Sequence, residues 1–375
     1  MANSTTAPGL RYYCELLPNI QSISVYVSLP SPSDVSTRVV VPPGSRTLFL
    51  EHRGKTLTVK LPGPGNPNAN PLIVTPQLHL ASLSLRIPCA EKIAQETDNL
   101  TPWSARKLTT SPVASMQCRS CNATILPKSR INTWKDLPSG NWAEAMDFWH
   151  CHKPHEKGGE KGRYANYGSG FKVVEGTGFV DGSGVLFSRM DVGEGVKKSN
   201  TSLNCKNCDS VLGRPEHDIG NASELWRIHK WNIRLQNGES GCVYPLECFL
   251  ASEFIGFAES EGVRRLLVSD RNDTDNGARL KIWVFNTDVF YSHPDVDKPQ
   301  RGIKVYWRLL GEGEKAPPTD RLASTSFEAV ELDSIVVKRL VDRLRERAAL
   351  MPTEMQTQGE WASGILRRFQ EHELA

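Results

Sequence analysis

The sequence has no long apolar run and almost no net charge. Among 375 residues, Lys plus Arg number 45 and Asp plus Glu number 42, which leaves a formal net charge of +3. No basic stripe stands out, so direct binding to nucleic acid is not expected. No window approaches ~18 consecutive apolar residues, so no membrane-spanning helix is expected. The first nine residues have neither a basic start nor an apolar core and predict no secretory signal.

Cysteine is missing from the last third of the chain, because the last of the nine cysteines is Cys248. An odd number of cysteines without a secretory signal argues against a disulfide framework. A phosphate-binding loop is also missing, because the glycine-rich stretch 158–162 lacks the Walker spacing and a following Ser or Thr. The sequence therefore predicts an intracellular protein without a nucleotide site.

The composition is that of an ordinary globular protein, with 39% hydrophobic and 23% charged residues. At ~150 residues per domain, the length suggests about two domains. Residues 20–88 contain several short runs with strand-like alternation, separated by turns rich in Pro, Gly, Ser and Asn. Runs of this kind predict a small antiparallel sandwich.

The last third of the chain shows clear periodicity again. Helices are predicted at 244–261, 335–350 and 359–373, and strands at 263–269, 278–290 and 302–309. We therefore predict an α+β fold. An N-terminal antiparallel β-sandwich-like domain (1–115) precedes a zinc-stabilised mixed α/β domain (116–375) that ends in helices.

Two short segments carry the strongest motif. Residues 118–125 and 205–212 match in type at every position: Cys, basic, small polar, Cys, Asn or Asp, small, β-branched, aliphatic. A two-residue spacer lets both thiolates of a tight turn reach one ion at ~2.3 Å, and Asn or Asp tolerates the left-handed residue that closes the turn. Two knuckles supply four thiolates, which predict one closed, structural zinc site. The predicted ligands are Cys118, Cys121, Cys205 and Cys208.

A short helix is predicted between the two knuckles. Asn141 is a suitable N-cap with Glu144 three residues later, as in a capping box. Trp142, Met146 and Trp149 fall at i, i+4 and i+7, on one face of the helix. We expect the two tryptophans to anchor this helix in the zinc domain.

Cys151 and His152 follow this helix and allow three interpretations. The first is a thiolate nucleophile with an activating imidazole. The second is a further metal site or a partner-binding site, and the third is a packed cysteine beside a surface histidine. The partial negative charge at a helix C-terminus opposes the first, because it raises the pKa of a thiol. Adjacent residues also rarely form a nucleophile–base pair.

The order of these motifs is similar to that of a known family. A Cys-x-x-Cys knuckle, Leu-Pro-Ser-x-x-Trp, Trp-x-Cys-His and a second knuckle follow one another, and further matching strands lie at 280–286 and 304–306. The pattern resembles the ubiquitin-conjugating-enzyme-binding proteins, also called HECT-like ubiquitin ligases. The resemblance implies binding to a ubiquitin-conjugating enzyme and a ubiquitin-ligase role. It also implies a link to the endonuclease of pre-mRNA 3′-end cleavage and polyadenylation, and a location in nucleus and cytoplasm.

One departure from the HECT pattern leaves two functional hypotheses. A HECT ligase forms a ubiquitin thioester on a cysteine near its C-terminus, whereas residues 249–375 contain no cysteine. Outside the predicted zinc ligands, only Cys14, Cys89, Cys151, Cys242 and Cys248 remain, and we expect Cys242 and Cys248 to belong to the core. The first hypothesis is a ubiquitin ligase that docks a charged conjugating enzyme. The second is a non-catalytic zinc-containing chaperone or adaptor that binds and stabilises the processing endonuclease.

Overall fold

The computed structural model describes residues 11–92, 101–110, 115–137, 175–217, 224–237, 240–271, 279–311, 314, 317, 327–370 and 373. The structure is mostly β-sheet, with several antiparallel sheets. In chain order, the described strands are β1 (Arg11–Leu17), β2 (Ser22–Ser28), β3 (Arg38–Val41), β4 (Ser45–His52), β5 (Lys55–Gly65), β6 (Leu72–Val74), β7 (Ser82–Pro88), β8 (Ser115–Cys118), β9 (Thr124–Pro127), β10 (Thr133–Asp136), β11 (Thr177–Val180), β12 (Gly184–Ser188), β13 (Val196–Ser199), β14 (Ser202–Cys205), β15 (Val211–His217), β16 (Glu224–His229), β17 (Ile233–Asn237), β18 (Ser240–Cys242), β19 (Arg265–Asp270), β20 (Leu280–Ser292), β21 (Gln300–Leu309), β22 (Glu328–Leu332), β23 (Thr357–Gln358) and β24 (Trp361–Arg367).

The described α-helices are fewer and mostly short: α1 (Ala105–Thr110), α2 (Arg189–Val192), α3 (Leu246–Ser260) and α4 (Ser334–Ala348). The positions of α3 and α4 confirm two of the predicted helices. None of the described helices combines the length and the apolar character that a membrane span requires.

The chain divides into two compact units that do not follow the predicted boundary. Residues 1–100 and 250–375 together form one unit, and 101–249 form the other. The prediction of domains at 1–115 and 116–375 treated the chain as two consecutive blocks. The division in the structure differs from the predicted one because strands from both ends of the chain pair in one sheet.

A nine-stranded sheet forms the centre of the first unit. Its main path runs β23-β24-β21-β20-β1-β2-β7, with β19 beside β20 and β22 beside β19. β1 pairs antiparallel with both β2 and β20, with Cys14 opposite Ser292. The N-terminal strands are thus part of a sheet whose other members lie after residue 260.

A second sheet of four strands, in the order β5-β4-β3-β6, packs on the N-terminal strands. Val39, Leu48 and Val59 from this sheet share one buried core with Cys14 and Ile23 from the nine-stranded sheet. The N-terminal region is therefore sandwich-like, as predicted, but one of its two layers continues into the C-terminal strands. Burial of apolar area between the layers, at ~25 cal/mol per Å², is what holds them together.

The C-terminal end of the chain corrects one prediction. The helix predicted at 359–373 is wrong, because 361–367 form β24, antiparallel to β21. Helix α4 packs on this strand, where a Cβ added to Gly364 would lie 2.7 Å from Leu344 Cδ2. β24 is buried on both faces over much of its length. Such a strand shows no two-residue alternation, so its periodicity does not separate it from a helix.

The second unit contains two further sheets. A seven-stranded sheet has the order β10-β11-β12-β16-β15-β14-β13, and a four-stranded sheet has the order β18-β17-β8-β9. β10 and β11 are parallel, and the other pairs are antiparallel. Each sheet carries one of the two cysteine knuckles.

Candidate metal centre

The first knuckle is a tight turn between β8 and β9. Cys118 ends β8, and its backbone N–H donates to the Ala123 carbonyl at 2.8 Å. The Asn122 N–H donates back to the Cys118 carbonyl at 2.9 Å. Asn122 has φ +61°, in the left-handed region that Asn tolerates better than most residues. Cys121 lies inside this turn, so the side chains of Cys118 and Cys121 extend from the same loop.

The second knuckle repeats the first one contact by contact. Cys205 ends β14, its N–H donates to the Ser210 carbonyl at 2.9 Å, and the Asp209 N–H donates to the Cys205 carbonyl at 2.9 Å. Asp209 also has φ +61°. The left-handed turn expected from Asn and Asp in the two motifs is therefore present twice. One local sequence pattern produces one backbone geometry in two different sheets.

The four sulfur atoms of the two knuckles lie together. Cys118 Sγ is 3.7 Å from Cys208 Sγ, and Cys121 Sγ is 3.6 Å from Cys205 Sγ. All four lie within 4.8 Å of one another. A tetrahedral ion with bonds of ~2.3 Å to sulfur requires edges of about 3.8 Å. The four side chains therefore fit a single tetrahedral metal ion.

Hydrogen-bond donors surround the sulfurs. Burial raises the pKa of Cys118 to about 12, which the nearby backbone N–H groups of Cys121 and Ser120 oppose. The Asn207 side-chain amide and the Ala123 N–H lower the pKa of Cys121 to about 6. Donors of this kind favour the thiolate, which is the form of cysteine that binds metal.

An ion at this position would connect the two sheets of the unit. Cys118 belongs to the four-stranded sheet and Cys205 to the seven-stranded sheet. The backbones also approach each other at Gly195, where an added Cβ would lie 2.5 Å from the Thr124 carbonyl oxygen. Four protein ligands would complete a tetrahedral site and leave no position for a substrate.

The basic residue of the first knuckle has a role that the sequence did not indicate. Arg119 Nη1 donates to the carbonyl oxygens of Trp231 and Tyr244, at 3.0 and 2.7 Å. The ring of Tyr244 lies 5.4 Å from that of Trp103. Arg119 thus links the knuckle to the segment that precedes α3, in addition to bringing positive charge to the motif. The spacing of the cysteines carries no signal for this contact.

The remaining described cysteines divide into buried and exposed. Cys14 and Cys248 are fully buried, Cys89 is buried, and burial raises the pKa of Cys14 well above its ordinary value. The prediction that Cys248 belongs to the core is confirmed. The same prediction for Cys242 is wrong, because it is exposed at the end of β18, an edge strand of its sheet.

The segment with the third predicted motif lies outside the described residues. This applies to Trp142 and Trp149 of the predicted helix and to Cys151 and His152 that follow it. The three interpretations of Cys151 and His152 therefore stay predictions.

Residues 15–363 match the family described as HECT-like ubiquitin-conjugating enzyme (E2)-binding. An uncharacterized protein of Saccharomyces cerevisiae is 25% identical over 263 residues, which cover 69% of this chain and 70% of that protein. An uncharacterized protein of Schizosaccharomyces pombe is 23% identical over 314 residues, which cover 79% and 86%. No solved structure matches the chain. Because the family match spans most of the sequence, this chain belongs to the HECT-like ubiquitin-conjugating enzyme (E2)-binding family.

Proposed function

We propose that this protein binds a ubiquitin-conjugating enzyme and acts in protein ubiquitination through that binding. The observation that carries the proposal is the family match over residues 15–363, which includes strands of both units and all four knuckle cysteines.

We further propose that the four knuckle cysteines hold one structural zinc ion. Thiolate ligands in a tetrahedral set select Zn²⁺ over harder divalent cations. Sulfur–sulfur distances of 3.6 and 3.7 Å support this assignment. The ion's contribution is stability: it fixes the two sheets of residues 101–249 and takes no part in ubiquitin transfer.

The burial of the cysteines favours a non-covalent role. A ubiquitin thioester requires a cysteine that another protein's thioester can reach, and Cys14, Cys89 and Cys248 are buried. Cys242 is exposed, and Cys151 is the other cysteine to be tested. We infer that the protein positions a charged conjugating enzyme without accepting ubiquitin on itself.

The alternative from the sequence is a non-catalytic adaptor that stabilises the endonuclease of pre-mRNA 3′-end processing. That role rests on the resemblance alone and stays a prediction, as do ligase activity and the location in nucleus and cytoplasm. The family match names the conjugating enzyme and not the endonuclease, so the conjugating enzyme is the partner to test first.

The test is a binding and adduct assay with the full chain. Purified protein is incubated with a panel of ubiquitin-charged conjugating enzymes, and binding is measured by calorimetry. We expect at least one enzyme to bind and a non-reducing gel to show no reducible ubiquitin adduct on this chain. The non-covalent mechanism would be overturned by a ubiquitin adduct that is lost in Cys242→Ser or Cys151→Ser, if that variant keeps the melting temperature and zinc content of wild type. Absence of binding to every enzyme would overturn the proposed function itself.

A further inference from the structure

A cleft of about 490 Å³ lies beside the second knuckle, in the unit formed by residues 101–249. It is lined by residues of α2 and β13, by Lys206 of the knuckle and by Trp226 of β16. Four of the lining side chains are basic: Arg189, Lys197, Lys198 and Lys206. No carboxylate is among the described residues that line it. Lys197 forms a solvent-exposed ion pair with Asp209 at 2.9 Å, which offsets part of the positive charge of the cleft.

The cleft also contains apolar surface. Met190 is 65% exposed, which is high for a large apolar side chain. Trp226 is only 4% exposed, and its indole Nε1–H has no acceptor within the described part of the chain.

The strand that borders the cleft has a free edge. β13 is the last strand of the seven-stranded sheet and, among the described strands, pairs only with β14. An extended peptide can add to such an edge through backbone hydrogen bonds. Lysines on an edge strand also prevent unwanted strand pairing, but that role gives no reason for the exposure of Met190.

We propose that this basic cleft binds an acidic, extended segment of the partner, with an apolar side chain of that segment on Met190. The inference rests on the proposed function, because it assigns the segment to the bound ubiquitin-conjugating enzyme. Charge complementarity selects an acidic partner and increases its association rate. The observations favour a peptide over nucleic acid. A nucleic acid needs a basic groove that follows its backbone together with stacking rings, whereas this cleft is compact and the whole chain carries a net charge of only +3.

The test reverses two charges of the cleft in the full-length protein. The variant Lys198→Glu/Lys206→Glu should bind the conjugating enzyme about tenfold more weakly than wild type, with a smaller dependence on salt. The matched control Lys338→Glu/Arg339→Glu makes the same change of net charge on the exposed face of α4. The control should bind within about twofold of wild type, because only its long-range field has changed. Zinc content and melting of each variant show whether it is folded.

A second variant keeps the charges and removes the apolar contact. Met190→Ala should weaken binding by about three- to tenfold and leave its salt dependence unchanged, since only buried apolar area is lost. Because Met190 is mostly exposed, this variant should fold like wild type. Equal affinities for wild type, Met190→Ala and the double variant would overturn the cleft assignment and leave the proposed function intact.

A peptide separates the cleft from the choice of partner. The probe is a short fluorescein-labelled peptide of alternating Glu and Leu, and the competitor is a single-stranded RNA. If the peptide binds to wild type and not to Lys198→Glu/Lys206→Glu, the assignment of the cleft is supported, whether or not a conjugating enzyme binds. If the peptide binds in this way and no conjugating enzyme does, only the proposed function is contradicted. If RNA binds and the acidic peptide does not, the cleft is a nucleic-acid site and the inference is wrong. If neither the enzymes nor the peptide bind, both proposals are overturned.

Discussion

At the scale of single residues, the knuckle sulfurs act as one group. Cys118 is fully buried, and its sulfur lies 3.7 Å from that of Cys208. Without an ion, four sulfurs this close would have to share protons, because four adjacent thiolates repel one another. A bound metal ion of charge +2 would offset much of that repulsion and would link the two knuckles.

Replacing one knuckle cysteine should therefore affect the whole unit. We expect Cys118→Ser to lose most of the one zinc ion per chain and to lower the melting temperature of residues 101–249, because a structural site contributes folding free energy directly. The matched control is Cys242→Ser, which alters an exposed cysteine outside the cluster and should retain both properties. Elemental analysis and thermal unfolding measure the two effects. Wild-type protein that is folded and free of zinc, although purified without chelator, would contradict the assignment.

His293 provides a pH-dependent test of the other unit. It is 2% exposed, its Nδ1 accepts from the Asp295 N–H at 3.2 Å, and its ring stacks on Tyr291. Burial, and after it the charge of Arg347, lowers the pKa of His293 below its ordinary value of 6.5. Below pH 6.5 the unfolded chain therefore binds a proton that the folded chain does not, so folding stability falls as the pH falls.

The variant His293→Phe keeps an aromatic ring and removes this proton. Between about pH 7.5 and pH 5.5, wild type should lose more stability than the variant, because only wild type has the extra proton on the unfolded histidine. Urea unfolding at both pH values measures the difference. Identical pH dependence in the two proteins would show that His293 is not held neutral by the fold.

At the scale of elements, close strand packing depends on a glycine in β15. A Cβ added to Gly213 would lie 1.8 Å from the Arg227 carbonyl oxygen of β16. Gly213→Ala should thus force the two strands apart and destabilise residues 101–249 by at least about 1–3 kcal/mol. Gly256 in α3 is the matched site, because an added Cβ there would meet nothing within 4 Å.

The same substitution should change folding stability in opposite directions at these two positions. Gly256→Ala should stabilise the protein by about 0.5–1 kcal/mol, since alanine loses less backbone entropy in a helix. Thermal unfolding of both variants against wild type measures the contrast. A neutral Gly213→Ala would show that β15 and β16 lie farther apart than in the structure.

At the scale of the whole molecule, the N-terminal strands complete a sheet that begins in the last third of the sequence. β1 lies between β2 and β20, with Tyr13, Cys14 and Leu16 buried. Without β1, the β20 edge and its apolar neighbours would be exposed, which promotes aggregation. A domain boundary at residue 115 would separate strands of this sheet from one another. The unit of residues 101–249, in contrast, contains both knuckles and keeps them together.

Two fragments test this organisation. Expressed alone, residues 116–375 should aggregate or melt without cooperativity, because they lack β1, β2 and β7. Residues 101–249 should fold with one equivalent of zinc and lose their structure in a chelator. Circular dichroism melts and elemental analysis measure both outcomes. A soluble 116–375 fragment that melts like the full chain would support the sequential division instead.

Features that depend on a few neighbouring residues could be predicted from the sequence. Cysteine spacing together with Asn122 and Asp209 predicted the two turns, because a left-handed residue and two backbone hydrogen bonds form within one short segment. The apolar face of α4, with Val337, Leu340 and Leu344 buried, follows from helical periodicity alone. These interactions are local, so no other part of the chain is needed to infer them.

Features that depend on the partners of a segment could not be predicted without the three-dimensional structure. The strand at 361–367 forms because β21 offers a backbone edge and α4 covers one face, and its sequence shows neither. The grouping of 1–100 with 250–375 depends on the pairing of β1 with β20, which no local pattern encodes. Cys242 is exposed because it lies on an edge strand rather than inside the helix that follows it. The first two outcomes depend on contacts between residues far apart in sequence, whose free energy exceeds the small differences in local propensity. The exposure of Cys242 depends on the shorter-range pairing of β18 with β17.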